Sequence, residues 1–348
     1  MAFDFDAAVH VPHRMQPGLR RLAPGAAQLT PTAVPQRGVA RHLREKLAVL
    51  GAFRHQALLQ VPGFNAGPAL AALAAHAAAE QPQALQIDGA TWRAPGLGWA
   101  LDADDQPQPT DPAGHPAWPE IGPLLATIDR PWRRAALLSL AFAEDFAVVD
   151  GATGTLPWLA VALPSMWAPE EKIGRSFAEA HAPVADNRLI VGAAPHLVKL
   201  VTSGTAPETP AASPPRGGVG PLGRPGGAQP WERFVWTLTA HPRLHGHPQR
   251  VAPERWATGL DDDQLAAQTW WRTERQTFIP VPGARQAVFT ILVNVTPLTR
   301  AFATPAQAAR VHDALASMSD AVLDYRGLTH ARLALLRWLA HQAAGTSA

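Results

Sequence analysis

From residue 270 to residue 295 the chain runs through two long β-type stretches, WWRTERQTFIPV (Trp270–Val281) and QAVFTILVNV (286–295), joined by a short connection containing Gly283, Ala284 and Arg285. Aromatic and β-branched residues dominate both, the composition of a pleated and half-buried surface. A glycine-containing connection of this length predicts a hairpin. WERFVWTLT (Trp231–Thr239) has the same character. Upstream, residues 146–150 and 156–163 read as two further strands around the turn residues GATGT.

Helical spacing predicts helices elsewhere. Residues 37–59 repeat apolar side chains at Val39, Leu43, Leu47, Leu50 and Leu58, and residues 68–79 form a second such segment with Pro68 in its first turn. Residues 107–119 read as a Pro/Asp/Gly loop and 131–144 as an apolar helix. Pro169 fits a first helical position, with Glu170 and Glu171 complementing the positive helix end. That helix is expected from 169 to about 180, with Pro183 blocking its continuation, and another short helix over 187–201. Residues 305–318 and 329–342 read as two amphipathic helices. Residues 203–230, rich in Pro, Gly, Ala and Ser, bury too little apolar surface to offset ordering entropy and read as a flexible insertion.

Strand, strand, helices and three strands make one antiparallel sheet with helices over one face the economical α+β architecture. That order matches a PAS domain, a fold that holds haem or flavin between sheet and helices. The expected division is a mostly helical region at 1–144, a PAS-like core at 145–300 and C-terminal helices at 301–348.

Composition narrows the chemistry. A net charge of +2 on 348 residues gives no strong field to steer nucleic acid or an anionic membrane. The absence of cysteine excludes disulfides, thiolate-ligated haem and cysteine-bound iron–sulfur clusters on this chain. With no apolar signal-like region at the start and no apolar run of about 20 residues, a soluble cytoplasmic protein is expected. GATGTLP lacks the ending of a phosphate loop, and no GxSxG, GxGxxG or HExxH occurs.

The segment PSMWAPEEKIGRSFAEAHAPVADN ends its expected helix on His181, four residues after Phe177 and seven after Gly174, which places all three on one helical face. Gly174 would let a flat ligand approach and Phe177 would pack on it, leaving His181 as a haem-iron ligand. The alternative is a capping or hydrogen-bonded core histidine, and His196 in the following segment is a rival ligand. His241, His245 and His247 form HPRLHGHP, a weak zinc signal interrupted by Pro and Gly. On the strand WRTERQTF, alternation puts Arg272, Glu274 and Gln276 on one face and Thr273, Arg275 and Thr277 on the other. Glu274 is available to an ammonium group, against the alternative of a solvent-facing Arg–Glu pair. Arg233 and Trp236 offer a second lining, with Arg233 able to meet a haem propionate or bound oxygen, and Lys172 a propionate. Surface charge beside a core tryptophan is the alternative for the first pair, and a solvated lysine for Lys172. LDDDQ at 260–264 reads as a solvated helix start.

PSxWxPEEKxG followed by HAPV, then RTERQT, RMQPGL (14–19), AVFTILVNVTPL and YRGL (325–328) together resemble the haem-dependent oxidative N-demethylase α-subunit family. The resemblance implies a PAS fold holding haem b and its iron. It implies oxidation of a small secondary amine, dimethylamine-like, with O2, releasing formaldehyde. Electrons from NADPH would arrive through partner subunits carrying FMN and an iron–sulfur cluster, and a folate-binding partner would handle the formaldehyde. It implies His181 as proximal ligand, with Glu274, Arg272 and Arg233 as distal or propionate groups. Two departures from the family are Val235, where Asn is common, and the 203–230 insertion. A haem-binding PAS sensor of gas or redox state, a non-catalytic haem protein and a cofactor-free interaction protein are the other readings.

Overall fold

The computed structural model describes residues 3–33, 40–111, 116–202, 230–251 and 256–345. The N-terminal part holds α1 (Phe5–Ala8), β1 (Arg20–Arg21), α2 (Ala40–Ala52), α3 (Arg54–Ala57), β2 (Leu58–Gln60) and α4 (Gly67–Glu80). A small antiparallel meander follows: β3 (Gln86–Asp88), β4 (Thr91–Ala94), β5 (Trp99–Leu101) and β6 (Pro107–Pro109). Then come α5 (Ile121–Thr127) and α6 (Arg133–Ala141). The central part is β7 (Asp145–Asp150), β8 (Trp158–Ala160), α7 (Phe177–His181), α8 (Arg188–Thr202), β9 (Trp231–Thr239), α9 (Asp262–Ala267), β10 (Trp270–Val281) and β11 (Gln286–Pro297). The chain closes with α10 (Pro305–Ala316), α11 (Asp320–Tyr325) and α12 (Arg332–Ala343).

The large sheet runs β1-β9-β10-β11-β7-β8-β2, every pairing antiparallel. Its five central strands, numbered along the chain, lie 2-1-5-4-3, the arrangement of a PAS sheet. The hairpin expected from composition supplies the long strands β10 and β11, paired from Trp270↔Pro297 to Val281↔Gln286.

Register divides the sheet into two faces. On the front face lie Arg233, Val235 and Thr237 of β9, Arg272, Glu274, Gln276 and Phe278 of β10, and Phe289, Ile291 and Val293 of β11. Val198 and Val201 of α8, with Phe177 of α7, pack there on Val149, Phe278 and Ala287. The terminal extensions take the back face. Trp236 and Trp271 stack at 4.7 Å beneath Val311, Leu315, Leu335 and Leu339 of α10 and α12. Val148, Ile279 and Val288 pack with Leu43, Leu73 and Leu137 of α2, α4 and α6.

Several elements differ from expectation. The helix expected to Leu59 ends at Ala52, and Leu58–Gln60 instead pairs with β8, whose open edge satisfies its backbone. The loop expected over 107–119 begins with an edge strand, where prolines are tolerated because the outer N–H groups need no ladder partner. The meander of β3 to β6 escaped the sequence because strands of three or four residues carry little periodicity. The insertion assigned to 203–230 lies outside the described residues except for Pro230. No helix among the described residues is long and apolar enough to cross a membrane.

Two buried polar residues of α2 fasten it to the sheet. Lys46, fully buried, pairs with Asp145 at 3.1 Å and donates to the carbonyls of Phe142 and Glu144. His42 donates through Nε2 to the carbonyl of Val293 at 2.7 Å. Lys46→Ala leaves Asp145 buried without its counter-charge, and is expected to lower stability by about 3–5 kcal/mol in urea unfolding. Burial holds His42 down to about 4 against an ordinary 6.5. The folded state therefore resists protonation that the unfolded chain accepts, so the His42 contribution is complete above pH 6.5 and is lost as pH falls towards 4. That loss amounts to at most about 3 kcal/mol. His42→Gln is expected to flatten this part of the stability–pH curve, read by denaturant titration at pH 7 and pH 4.5.

Candidate functional site

The front face is less completely covered than the back. Along β9 the front-facing Arg233, Val235 and Thr237 are half-buried, whereas Phe234, Trp236 and Leu238 behind them are buried. Glu274 is also half-buried between the buried Thr273 and Arg275. A strip of polar and small side chains is thus left partly open on this face.

The helix expected over 169–180 is interrupted. Pro169–Glu171 forms a single 3-10 turn, and Gly174 adopts φ +73°, a left-handed conformation that suits glycine. The chain restarts at Ser176, whose hydroxyl accepts from the Glu179 N–H while Glu179 Oε2 accepts from the Ser176 N–H at 2.8 Å. This capping box is visible in the sequence as SFAE, and it fixes the start of α7. Gly174 therefore stands outside the helix, facing Val61, and the expected three-residue face reduces to Phe177 and His181. The two rings stack at 4.2 Å.

His181 Nδ1 lies 2.8 Å from the carbonyl oxygen of Phe177. A carbonyl only accepts, so Nδ1 carries the proton and Nε2 of the neutral ring presents its lone pair. Burial, helped by the nearby cations Arg233 and Lys172, holds the ring down to about 4. Lys172 itself donates to the carbonyl of Ala180, tying the last turn of α7 to the preceding segment. His196, the expected rival, is exposed on α8, whose buried side is Ile190, Ala194, Val198 and Val201.

Arg233 sits opposite Gln276 across the β9–β10 ladder. The residue is half-buried, and its Nε is buried without a hydrogen-bond partner. Its main attraction is the longer-range one to Glu274. Glu274 Oε2 accepts from Gln276 Nε2 at 2.6 Å, which leaves Oε1 open to a ligand N–H.

Two expected lining residues lie elsewhere. Trp236, three residues after Arg233 on a strand, points to the back face and stacks on Trp271. Arg272 is on the front face but buried, and donates to Ser165 Oγ and to the carbonyls of Pro164, Arg243 and Leu244. Its guanidinium holds two loops, which take up four of its five N–H donors. The Arg–Glu pair considered for this strand is formed on the back face, where Arg275 meets Glu232 at 2.9 Å and Arg20 joins it.

HPRLHGHP is not a metal centre. His247 Nδ1 accepts from the Gln249 N–H, so its Nε2 donates to Glu170 at 3.0 Å, and His245 Nδ1 donates to the carbonyl of Ala162. Among the described residues no group of three or more His, Asp or Glu is arranged to hold a metal ion. LDDDQ is a helix start, with Asp261 capping α9.

The residues present fit a haem. A single neutral imidazole with its distal nitrogen fixed by a carbonyl is how histidine holds haem iron from one side, and needs no cluster of ligands. Sequence reasoning missed Arg326, which is half-buried and lies with its guanidinium 5.5 Å from the Trp236 ring. No spacing rule could link it to Arg233, more than 90 positions away; only the tertiary fold does.

A family model described as haem-dependent oxidative N-demethylase, alpha subunit-like, matches residues 224–336. This bears out the family resemblance read from the sequence. The matched span takes in β9, β10, β11, Arg233, Glu274 and Arg326, while α7 with His181 precedes it.

Arg272→Lys keeps the charge but loses the planar fork that serves four acceptors. It is expected to cost about 2–4 kcal/mol in urea unfolding, because buried carbonyls are left unpaired.

Proposed function

We propose that this chain is the haem-carrying subunit of an oxidative N-demethylase acting on a small secondary amine of the dimethylamine type. The observation that carries the reading is the His181 ring, held neutral, with Nδ1–H donated to Phe177 and Nε2 free for a metal, beside the polar strip of the front face. The matched family description supports it. His181 Nε2 would hold the iron of haem b, with Phe177 packed against the imidazole. When bound, the haem supplies the oxygen-activating and redox chemistry, which no side chain of this cysteine-free protein can supply.

The chain's own residues would bind and orient. Glu274 Oε1 accepts an N–H of the protonated amine and is the group able to take that proton as the amine is oxidised. Arg233 on the neighbouring strand is attracted by the Glu274 charge and holds a cation near it. The back-face core and α8 exclude water from the other sides. Demethylation of the amine releases formaldehyde, and the α-subunit-like description implies partner subunits. In this reading NADPH is the electron source, FMN and an iron–sulfur cluster sit on those partners, and a folate-binding partner receives the formaldehyde. Residues 145–300 would form the haem-holding core between the 1–144 and 301–348 regions, in the cytoplasm.

The full chain produced with haem supply is expected to show a Soret band, and His181→Ala to weaken haem binding roughly tenfold or more. A full chain that takes up no haem refutes the reading. Glu274→Gln is expected to keep the Soret band and to lose at least about tenfold in partner-dependent formaldehyde release from dimethylamine. Haem binding without formaldehyde release under any partner supply would favour a sensor.

A further inference from the structure

β1 covers β9 only at Trp231 and Glu232, through the pairs Arg21↔Trp231 and Arg20↔Glu232. Beyond that point the edge of β9 is met by the N-terminal segment, and a cavity of about 50 Å³ lies between them. A water molecule needs roughly 10–15 Å³ by this measure, so the cavity takes a group of a few atoms. It is far below the roughly 300–1,000 Å³ of a pocket that encloses a whole small ligand.

Its walls are strongly cationic. Arg14, Arg233 and Arg326 line it together with His13, Ile190 and Trp236, and no Asp or Glu does. Arg233 approaches round the sheet edge from the front face and Trp236 from the back. Arg326 is held in place by Trp236 beneath it and by Met15, whose sulfur accepts from Nη2 at 3.6 Å. The buried Nε of Arg233 has no partner. Glu274 acts on Arg233 without an ion-pair contact, and Asp186, the one carboxylate that acts on His13, is not in the wall. Guanidinium groups gathered round a small space that no carboxylate lines, one of them with a buried and unpartnered Nε, make a place for an anion.

The geometry suits a planar carboxylate, which two guanidinium groups can grip from two sides. Resting on the haem reading above, we infer that the cavity between Arg233 and Arg326 seats a propionate of the haem. Arg233 lies close enough to His181 for its charge to act on the ring, so a porphyrin ligated at His181 would have its edge within reach of this corner. The cavity is too small for the macrocycle and large enough for the carboxylate at its rim. The same chemistry would accept a small free carboxylate, so the test separates the two.

Full-length apoprotein is titrated with haem and with haem dimethyl ester, whose propionates carry no charge, and the Soret band is followed. The expected result is at least tenfold weaker binding of the ester, and a gap reduced to threefold or less in Arg326→Gln and Arg233→Gln. Equal binding of the two porphyrins by the unaltered chain overturns the propionate seat while leaving the haem reading intact. A variant that keeps the full gap overturns the role of that arginine. If neither porphyrin binds, the haem reading falls and this inference with it. Acetate in the same titration is expected to compete with haem, and acetate that binds alongside haem assigns the cavity to a free carboxylate instead.

Discussion

The buried Arg272 guanidinium is the interaction around which the front of the molecule is organised. It reaches from the middle strands of the sheet to the carbonyls of Pro164, Arg243 and Leu244 and to the Ser165 hydroxyl. Two loops far apart in the chain, one leading towards α7 and one following β9, are thereby held at the same end of the front face. Gly246 is needed there because a side chain would press on the Pro164 carbonyl at 2.9 Å. Desolvation lowers the Arg272 ionisation to about 10, still above neutral pH, so the clamp stays charged. The segment carrying His181 is tied separately to the β7–β8 connection, with the Gly174 N–H donating to the Leu156 carbonyl and the Phe177 N–H to the Gly154 carbonyl.

The contrast between the two faces follows from what covers them. On the back, long helices bring leucine, valine and tryptophan against a continuous apolar surface. On the front, a five-residue helix and the inner side of α8 cover only the β7 and hairpin end. Arg233, Glu274 and Gln276 lie beyond that cover, on positions that alternate with core residues in the same strands. A charged group in such a place is stable only through specific partners or a ligand.

Much of this was legible in the sequence. The twelve-residue strand Trp270–Val281 and its hairpin partner were readable because their composition and alternation extend over several residues. The alternation also placed Glu274 and Arg272 on one face correctly. It could not say that Arg272 is consumed by backbone carbonyls, because those carbonyls come from residues about 30 and 110 positions away. Trp236 and Arg233 were grouped by proximity in sequence, although an offset of three residues on a strand separates faces. Gly174 was placed on a helix by extrapolating from Pro169, whereas SFAE marks a fresh helix start two residues later. Arg326 and its cavity depend on contacts between the two ends of the chain, to which periodicity is blind.

The shortness of α7 has a consequence for how this side of the front face moves. Five residues form little more than one turn, and an isolated turn is marginal without its cap. Both the Nδ1 bond of His181 and its stack on Phe177 lie inside that turn, so the aim of the imidazole is set locally, independent of the distant core. Opening this turn breaks few buried contacts, while opening the sheet breaks the whole ladder of β10 and β11. In native-state hydrogen exchange the amides of 177–182 would therefore belong to a low-energy opening unit, and those of 270–281 to the global one. A rigid sheet with a locally hinged histidine lets this side of the molecule open without unfolding the protein.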